Sequence, residues 1–286
     1  DLNSANGNYL YRIDQTHQTD KFTGKFGLEY NIIHSLMAYA TISNGFKPGT
    51  YFSQASTSAS SIAYIKPENL LAYEVGLKYL SNDGHLSLSG SLFDYEYRNR
   101  QTLMLAESPT GYFVSLGSIP KSRTRGGELQ ASWKTPLPGL NIEGNFAYLD
   151  GIIQKGPDSL RGATIVLPIT AHSALPFAPK FSWSAIASYS HKIADVLIFR
   201  TQVSYSWKDN MWTSLGDMNA KTSKIQSLGF RMSLISTRKK PWHVDFYVDN
   251  LTNRHGDTYS FSTPDNSRGQ YIQTPRWFGF EIGQIF

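Results

Sequence analysis

The sequence predicts an all-β fold, an antiparallel transmembrane β-barrel wall of about eleven strands. Three observations predict it. Apolar residues alternate with polar or small ones along most of the chain, in segments of about ten to fourteen residues, and helical periodicity is hard to find. Most segments reach the roughly 9–11 residues that a tilted strand needs to cross a bilayer, where a soluble sandwich strand averages about 5–6. The connections alternate between short and long, as turns on one rim and loops on the other rim of an outer-membrane barrel do.

The strands are expected at 20–30, 36–46, 67–79, 85–98, 119–134, 140–150, 180–190, 196–207, 221–235, 242–250 and 275–286. Successive side chains of a strand point to opposite faces, so each segment splits into two sets. In the first, Phe22, Phe26, Leu28 and Tyr30 oppose Lys25 and Glu29. The third is the clearest, with Leu71, Tyr73, Val75, Leu77 and Tyr79 against Ala72, Glu74, Gly76 and Lys78. Leu129, Ala131 and Trp133 then oppose Glu128 and Gln130, and Ile142, Phe146 and Tyr148 oppose Glu143 and Asn145. The eighth sets Leu197, Phe199, Val203, Tyr205 and Trp207 against Arg200, Gln202 and Ser204. The tenth sets Trp242, Val244, Phe246 and Val248 against His243, Asp245 and Asp249; the last sets Phe278, Phe280, Ile282 and Phe286 against Trp277, Gly279, Glu281 and Gly283.

In the strands split above, Lys25, Glu29, Glu74, Lys78, Glu128, Glu143, Arg200, Asp245 and Glu281 all fall on the wet face. A Lys or Arg on the lipid face near the midplane costs about 2–4 kcal/mol, so a bilayer demands this phasing. Short connections are read at about 31–35, 80–84, 135–139, 191–195 and 236–241, and long ones at 47–66, 99–118, 151–178, 208–220 and 251–274. Aromatics gather near strand ends (Tyr9, Tyr11, Tyr95, Tyr97, Trp207, Trp212, Trp242, Trp277), as interfacial girdles require. Residues 1–19 offer a partial alternation in Tyr9, Tyr11 and Ile13, short for a twelfth strand. If the short turns are periplasmic, the last strand descends to the periplasm and the first also descends. A complete bacterial barrel has an even strand count, so the chain is expected to be the C-terminal portion of one longer barrel domain.

Composition removes several function classes. Of 286 residues, 40% are hydrophobic, 14% aromatic and 17% charged, against about 25% charged in ordinary soluble domains, and a chain this aromatic is not disordered. Lys plus Arg number 27 and Asp plus Glu 22, a net charge of +5 without basic clusters, which argues against a nucleic-acid partner. Cysteine is absent, excluding thiol catalysis, disulfides and Cys-ligated metals. The longest uncharged run, Gly162 to Pro179, holds Pro168, Pro176, Pro179 and His172 and is no helical span.

The seven histidines show neither His-x-His nor His-Glu-x-x-His spacing, so no metal site and no resident cofactor are expected. There is no Gly-x-Ser-x-Gly elbow and no phosphate-cradling Gly-rich loop, and no catalytic residue is assigned. Asp249 or Asp257 with His255 could be drawn as the acid–base pair of a small outer-membrane hydrolase; polar loop residues are the simpler account.

Several segments resemble, in order, the C-terminal half of the TonB-dependent outer-membrane receptors. They are Ser43-Asn-Gly-Phe-Lys-Pro-Gly49, Pro67-Glu-Asn-Leu-Leu-Ala-Tyr-Glu-Val-Gly-Leu-Lys78, Gly126-Gly-Glu-Leu-Gln130, Leu175-Pro-Phe-Ala-Pro-Lys180, Val248-Asp-Asn-Leu-Thr-Asn-Arg254 and the terminal Phe286. Each alone is weak; the ordered set covers most of the chain from about residue 20. The resemblance implies a 22-stranded barrel in the bacterial outer membrane, closed by an N-terminal plug domain. It implies uptake of a scarce bulky solute, by default a ferric siderophore, driven by the TonB complex acting through the plug. Nothing in this chain matches the plug or its TonB-contacting box. The implied partners are therefore outer-membrane lipid, the siderophore, TonB through the missing plug, and the N-terminal remainder of the same barrel. A passive porin-like channel is the other membrane reading.

Ligand capture calls for aromatics and arginines on the long loops, which stack and hydrogen-bond a planar or anionic chelate. Tyr51, Phe52, Arg100, Tyr112, Arg161, Trp212, Arg254, Tyr259, Arg268 and Tyr271 qualify by position. Glu74, Lys78, Glu128, Glu143 and Arg200 on the inner face are expected to line water or hold the plug.

Overall fold

A computed structural model of the chain describes residues 15–52, 64–108, 111–157, 164–165, 169–263 and 265–284, together with the strand backbone of 2–3 and 9–11. Its main body is one antiparallel sheet whose path is eleven strands in simple meander order, with a short twelfth strand, Thr164–Ile165, paired to the fourth. The eleven are β1 (Gly24–Ile33), β2 (Leu36–Lys47), β3 (Glu68–Leu80), β4 (Leu86–Ser108), β5 (Gly111–Lys134), β6 (Leu140–Lys155), β7 (Phe181–Ala194), β8 (Leu197–Lys208), β9 (Ile225–Ser236), β10 (Trp242–Asp249) and β11 (Trp277–Gln284). Each pairs with its sequence neighbours, and among the described residues β1 and β11 each have one partner. The short pair Leu2–Asn3 with Tyr9–Tyr11 stands apart from this sheet.

Register carries the apolar face across every strand. In one row Phe26 stands opposite Ile42 and Ile42 opposite Tyr73; in another Leu77 stands opposite Gly90, Gly90 opposite Leu129, Leu129 opposite Phe146, Phe146 opposite Trp183 and Trp183 opposite Trp207. At the far end Phe246 faces Phe280 with ring centroids 5.1 Å apart. Leu92, Leu129, Phe280 and Ile282 are 65%, 61%, 72% and 80% exposed on this face, the inverse of a water-soluble sheet and the arrangement lipid requires. The opposite face carries Tyr39, Glu74, Lys78, Glu128, Gln130 and Asn145.

The short turns are tight and self-satisfied. Between β3 and β4, Gly84 takes φ 68 and donates its N–H to Ser81 O at 2.8 Å, a left-handed position that favours glycine. Asp83 accepts from Ser81 Oγ at 2.5 Å and from His85 N at 3.0 Å, and these donors hold its carboxyl down at about 2.

Two expectations need correction. The long connection placed at 99–118 is mostly strand, because β4 and β5 stay paired far beyond the bilayer, from Leu86 opposite Trp133 to Ser108 opposite Gly111. Both faces of that extension border water or protein, so the alternation that betrays a membrane strand is lost although backbone pairing continues. The connection at 251–274 likewise contains a hairpin, Asp257–Ser262 with Arg268–Ile272.

The dry core of the described residues lies in this extension. Met104, Ile119, Ile153, Leu175 and Leu215 are buried together, contributed by β4, β5, β6 and the loops after β6 and β8. Burying such a side chain contributes about 1.5–3 kcal/mol, so this cluster holds the outer loops as one ordered body.

Candidate functional site

The outer loops converge through backbone bonds that the extended strands template. The 169–178 segment lies along β6: His172 N donates to Ile153 O at 2.7 Å, Ile153 N to Ser173 O at 2.9 Å and Leu175 N to Gly151 O at 2.9 Å. The 209–224 segment docks on β4, with Leu105 N donating to Leu215 O at 2.8 Å. The 257–272 hairpin then sits on the 209–224 segment. Buried Asp217 accepts from Ser262 N at 2.8 Å, Ser262 Oγ at 2.6 Å and Asn219 N at 2.9 Å, and the Thr213 hydroxyl donates to Ser260 O. Three donors on one carboxylate compensate its burial.

The motif Val248-Asp-Asn-Leu-Thr-Asn-Arg254 closes the base of that hairpin. Asn250, 3% exposed and at φ 49, donates from Nδ2 to Arg254 O at 2.8 Å and Thr274 O at 3.0 Å, and accepts from Arg254 N at 2.9 Å. Asn253 Oδ1 accepts from Arg276 N at 2.9 Å. The asparagines thus join the two ends of the loop, and Asn tolerates the left-handed backbone they require.

Above this frame four rings meet. Tyr259 lies opposite Tyr271 in the hairpin, with centroids 5.9 Å apart, and Phe261 is 5.8 Å from Tyr259 and 6.0 Å from Tyr271. Phe177, from the loop after β6, stacks at 6.2 Å from Tyr259 with planes 22° apart. Tyr271 and Phe177 remain 64% and 58% exposed. An exposed patch of rings on a rigid support offers stacking area to a planar solute at little entropic cost.

Of the ten residues expected to capture ligand, Tyr259 and Tyr271 belong to this patch. Trp212 lies beneath it, accepting at its carbonyl from Phe177 N at 2.7 Å, with Lys221 Nζ 5.7 Å over its ring. Arg268 is bound inward: Nη2 donates to Asp257 Oδ2 at 2.6 Å, Lys221 O at 3.0 Å and Ser260 Oγ at 3.2 Å, so it braces the hairpin. Arg100 lies over the Tyr97 ring at 4.5 Å, and Tyr51 packs near Tyr64 and His17 while its hydroxyl donates to Gln15 at 2.8 Å. Phe52 is half-buried and Arg254 is exposed at the loop base. Arg161 and the side chain of Tyr112 lie outside the described residues. The patch also contains Phe177 and Phe261, which are not among the ten; the local signal at Phe177 is its flanking by Pro176 and Ala178-Pro179.

On the inner face Glu74 accepts from Tyr39 Oη at 2.6 Å and Tyr95 Oη at 3.4 Å, and Lys78 Nζ is 5.3 Å over the Tyr39 ring. Neither Asp249 nor Asp257 forms an ion pair with His255, and Asp257 is occupied by Arg268.

The family model described as TonB dependent receptor-like, beta-barrel, matches residues 3–251. The chain belongs to the TonB-dependent receptor β-barrel family. This receptor barrel is 29% identical over 133 residues to the ferrichrome outer membrane transporter/phage receptor of Escherichia coli (strain K12), an alignment covering 46% of this chain and 16% of that protein. Among solved structures it is similar to the ferric yersiniabactin uptake receptor FyuA from Yersinia pestis, with TM-score 0.73 at 17% identity, covering 92% of this chain and 37% of FyuA. It is similar also to the copper transporter OprC, with TM-score 0.67 at 16% identity, covering 91% of this chain and 38% of OprC. The chain therefore spans well under half of each, and at these identities the structural likeness shows the fold. The receptor barrel is a protein of the bacterial outer membrane.

Proposed function

We propose that this chain supplies about half of the wall of a plugged barrel that takes up a ferric siderophore across the outer membrane. The observation that carries the reading is the ring patch of Phe177, Tyr259, Phe261 and Tyr271, held by three cross-braced outer loops at one end of a polar inner face. Aromatic loops above a hydrophilic conduit suit capture followed by passage. The names of the relatives support a metal-chelate cargo: ferrichrome and ferric yersiniabactin are what those proteins carry.

In this reading strands from the remainder of the protein pair with β1 and β11, a plug fills the lumen against Glu74 and Glu128, and TonB drives release through the plug. The test uses the full-length protein. A strain lacking its gene should lose growth on a ferric siderophore under iron limitation and regain it on complementation, and uptake should cease when TonB is deleted. Uptake that persists without TonB, with open conductance in planar bilayers, would replace the proposal with a passive channel. Turnover abolished by His255→Ala with binding intact would replace it with a hydrolase.

A further inference from the structure

On β10 the side chains of His243 and Asp245 are two residues apart, and Glu281 on β11 stands directly opposite Asp245. All three lie on the polar face near the short-turn rim, far from the ring patch. His243 Nε2 is 3.7 Å from Asp245 Oδ2 and 3.8 Å from Glu281 Oε1, and one donor atom from each residue fits within 4.8 Å of the others. Opposite His243 is Gly283, where a Cβ would meet the imidazole Cε1 at 2.2 Å and Nε2 at 2.6 Å. A side chain at 283 would displace the ring from its place beside the two carboxylates.

Asp245 supplies an independent observation. It is 7% exposed, yet it accepts no hydrogen bond from any described residue. The nitrogen donors nearest it are His243 Nε2 at 3.7 Å and Arg231 Nη1 at 4.0 Å, both beyond hydrogen-bond reach. Arg231 is held over the Tyr247 ring, 5.0 Å from its centroid. From β9, Ser233 faces Asp245 without bonding it, and Arg200 on β8 is one strand further at the same level. A carboxylate side chain 10% exposed, with no hydrogen bond from a described residue, favours a cation beside it.

We propose that His243, Asp245 and Glu281 bind a first-row divalent cation of the zinc class on the inner face of the barrel wall. One imidazole nitrogen and two carboxylate oxygens are its ordinary donors. Metal–ligand lengths of about 2.0–2.2 Å place tetrahedral donors about 3.3–3.6 Å apart, so the two edges from His243 close by a few tenths of an ångström, and the carboxylate–carboxylate edge, within 4.8 Å, closes by rotation of the exposed Glu281 side chain. The two carboxylates balance the dication, Arg231 stays with Tyr247, and the fourth position faces the lumen for water. Nickel and copper suit the same donors by the usual affinity order; magnesium and calcium, which prefer all-oxygen sites, do not. Because its ligands come from β10 and β11, the cation clamps the last two strands together, and it binds whether or not the wall serves siderophore transport.

The experiment is a calorimetric titration of zinc into the full-length protein, purified from outer membranes in detergent and stripped with chelator. One zinc per chain with micromolar or tighter affinity is expected. Glu281→Gln and His243→Gln should each weaken it about tenfold or more. Glu143→Gln, on the same face but outside the cluster, should leave it unchanged. Heat-modifiable gel migration reports whether each variant folds. If either does not, cobalt loaded into the wild-type protein should show the visible absorption of a tetrahedral nitrogen–oxygen site, displaced by zinc, with anomalous scattering located between β10 and β11. Affinity weaker than millimolar, affinity unaltered in the folded variants, anomalous scattering elsewhere, or a Lys or Arg from the remainder of the protein seated in the cluster would each overturn the proposal.

Discussion

The backbone N–H of Phe177 donates to the carbonyl of Trp212 across 2.7 Å while Phe177 itself stands at φ 57. A bulky residue in the left-handed region costs about 1–2 kcal/mol, and this bond, which joins the loop after β6 to the loop after β8, helps to offset it. The conformation delivers the Phe177 ring to Tyr259, so local strain sits where three outer loops meet.

Phe177→Gly separates the two roles of that residue. Glycine adopts φ 57 without strain, so thermal stability of the full-length protein should stay level or rise slightly. Loss of the ring should weaken siderophore binding about tenfold, near the roughly 0.5–1.5 kcal/mol of one aromatic contact plus its buried area. Tryptophan-fluorescence titration checks the binding and calorimetric melting the stability.

Leu129→Arg and Gln130→Arg are adjacent in β5 but face opposite media. Leu129, 61% exposed on the apolar face, should lose about 2–4 kcal/mol of folding free energy in liposomes, whereas Gln130 on the polar face should change by less than about 0.5 kcal/mol. Equilibrium urea unfolding of the two variants reads the difference, and equal losses would mean the faces are assigned wrongly.

Gly126→Ala and Gly45→Ala form a second pair. A Cβ at 126 would lie 2.1 Å from Tyr148 O, a backbone atom of the paired strand β6, while at 45 nothing stands within 4 Å. The first should destabilise by about 1–3 kcal/mol through overpacking, and the second should be neutral or slightly stabilising. Folded yield on heat-modifiable gels gives the ranking.

The Asp265 turn should respond to acid. Its carboxyl is held down at about 2 by donors from Thr263 and Ser267, below the unfolded value of about 3.9. A lowered folded value means the contribution is complete above about pH 4 and is lost as pH falls through about 2. The protection factor of the Ser267 amide, taken relative to intrinsic exchange at each pH, should fall over that window, and Asp265→Asn should remove the step.

Much of the fold was legible because a β-strand writes its facing into every second residue. Tyr73, Val75 and Leu77 against Glu74 and Lys78 announce a strand with lipid on one side, and the eleven predicted strands match β1–β11 within a few residues except where β4, β5 and β6 continue past the bilayer. The site was legible only in part. Spacing puts Tyr259, Arg268 and Tyr271 in one long connection, but it shows neither that Tyr259 meets Phe177 nor that Arg268 donates to Asp257, Ser260 and Lys221, because those partners are brought together by the hairpin and by neighbouring loops.

By itself the sequence determined the strand count, the phasing of greasy and wet faces and the alternation of turns with loops, since each is set by neighbours a few residues apart meeting lipid or water. Only the tertiary structure decided which distant residues meet. Register places Glu281 opposite Asp245, 36 residues away along the chain; the buried cluster of Met104, Ile119, Ile153, Leu175 and Leu215 draws two loops onto β4–β6, and Asp217 ties the 257–272 hairpin to the second of them, so that Phe177 reaches Tyr259. Those contacts depend on hydrogen-bond register and on burial shared among segments far apart in the chain, quantities that no local pattern carries.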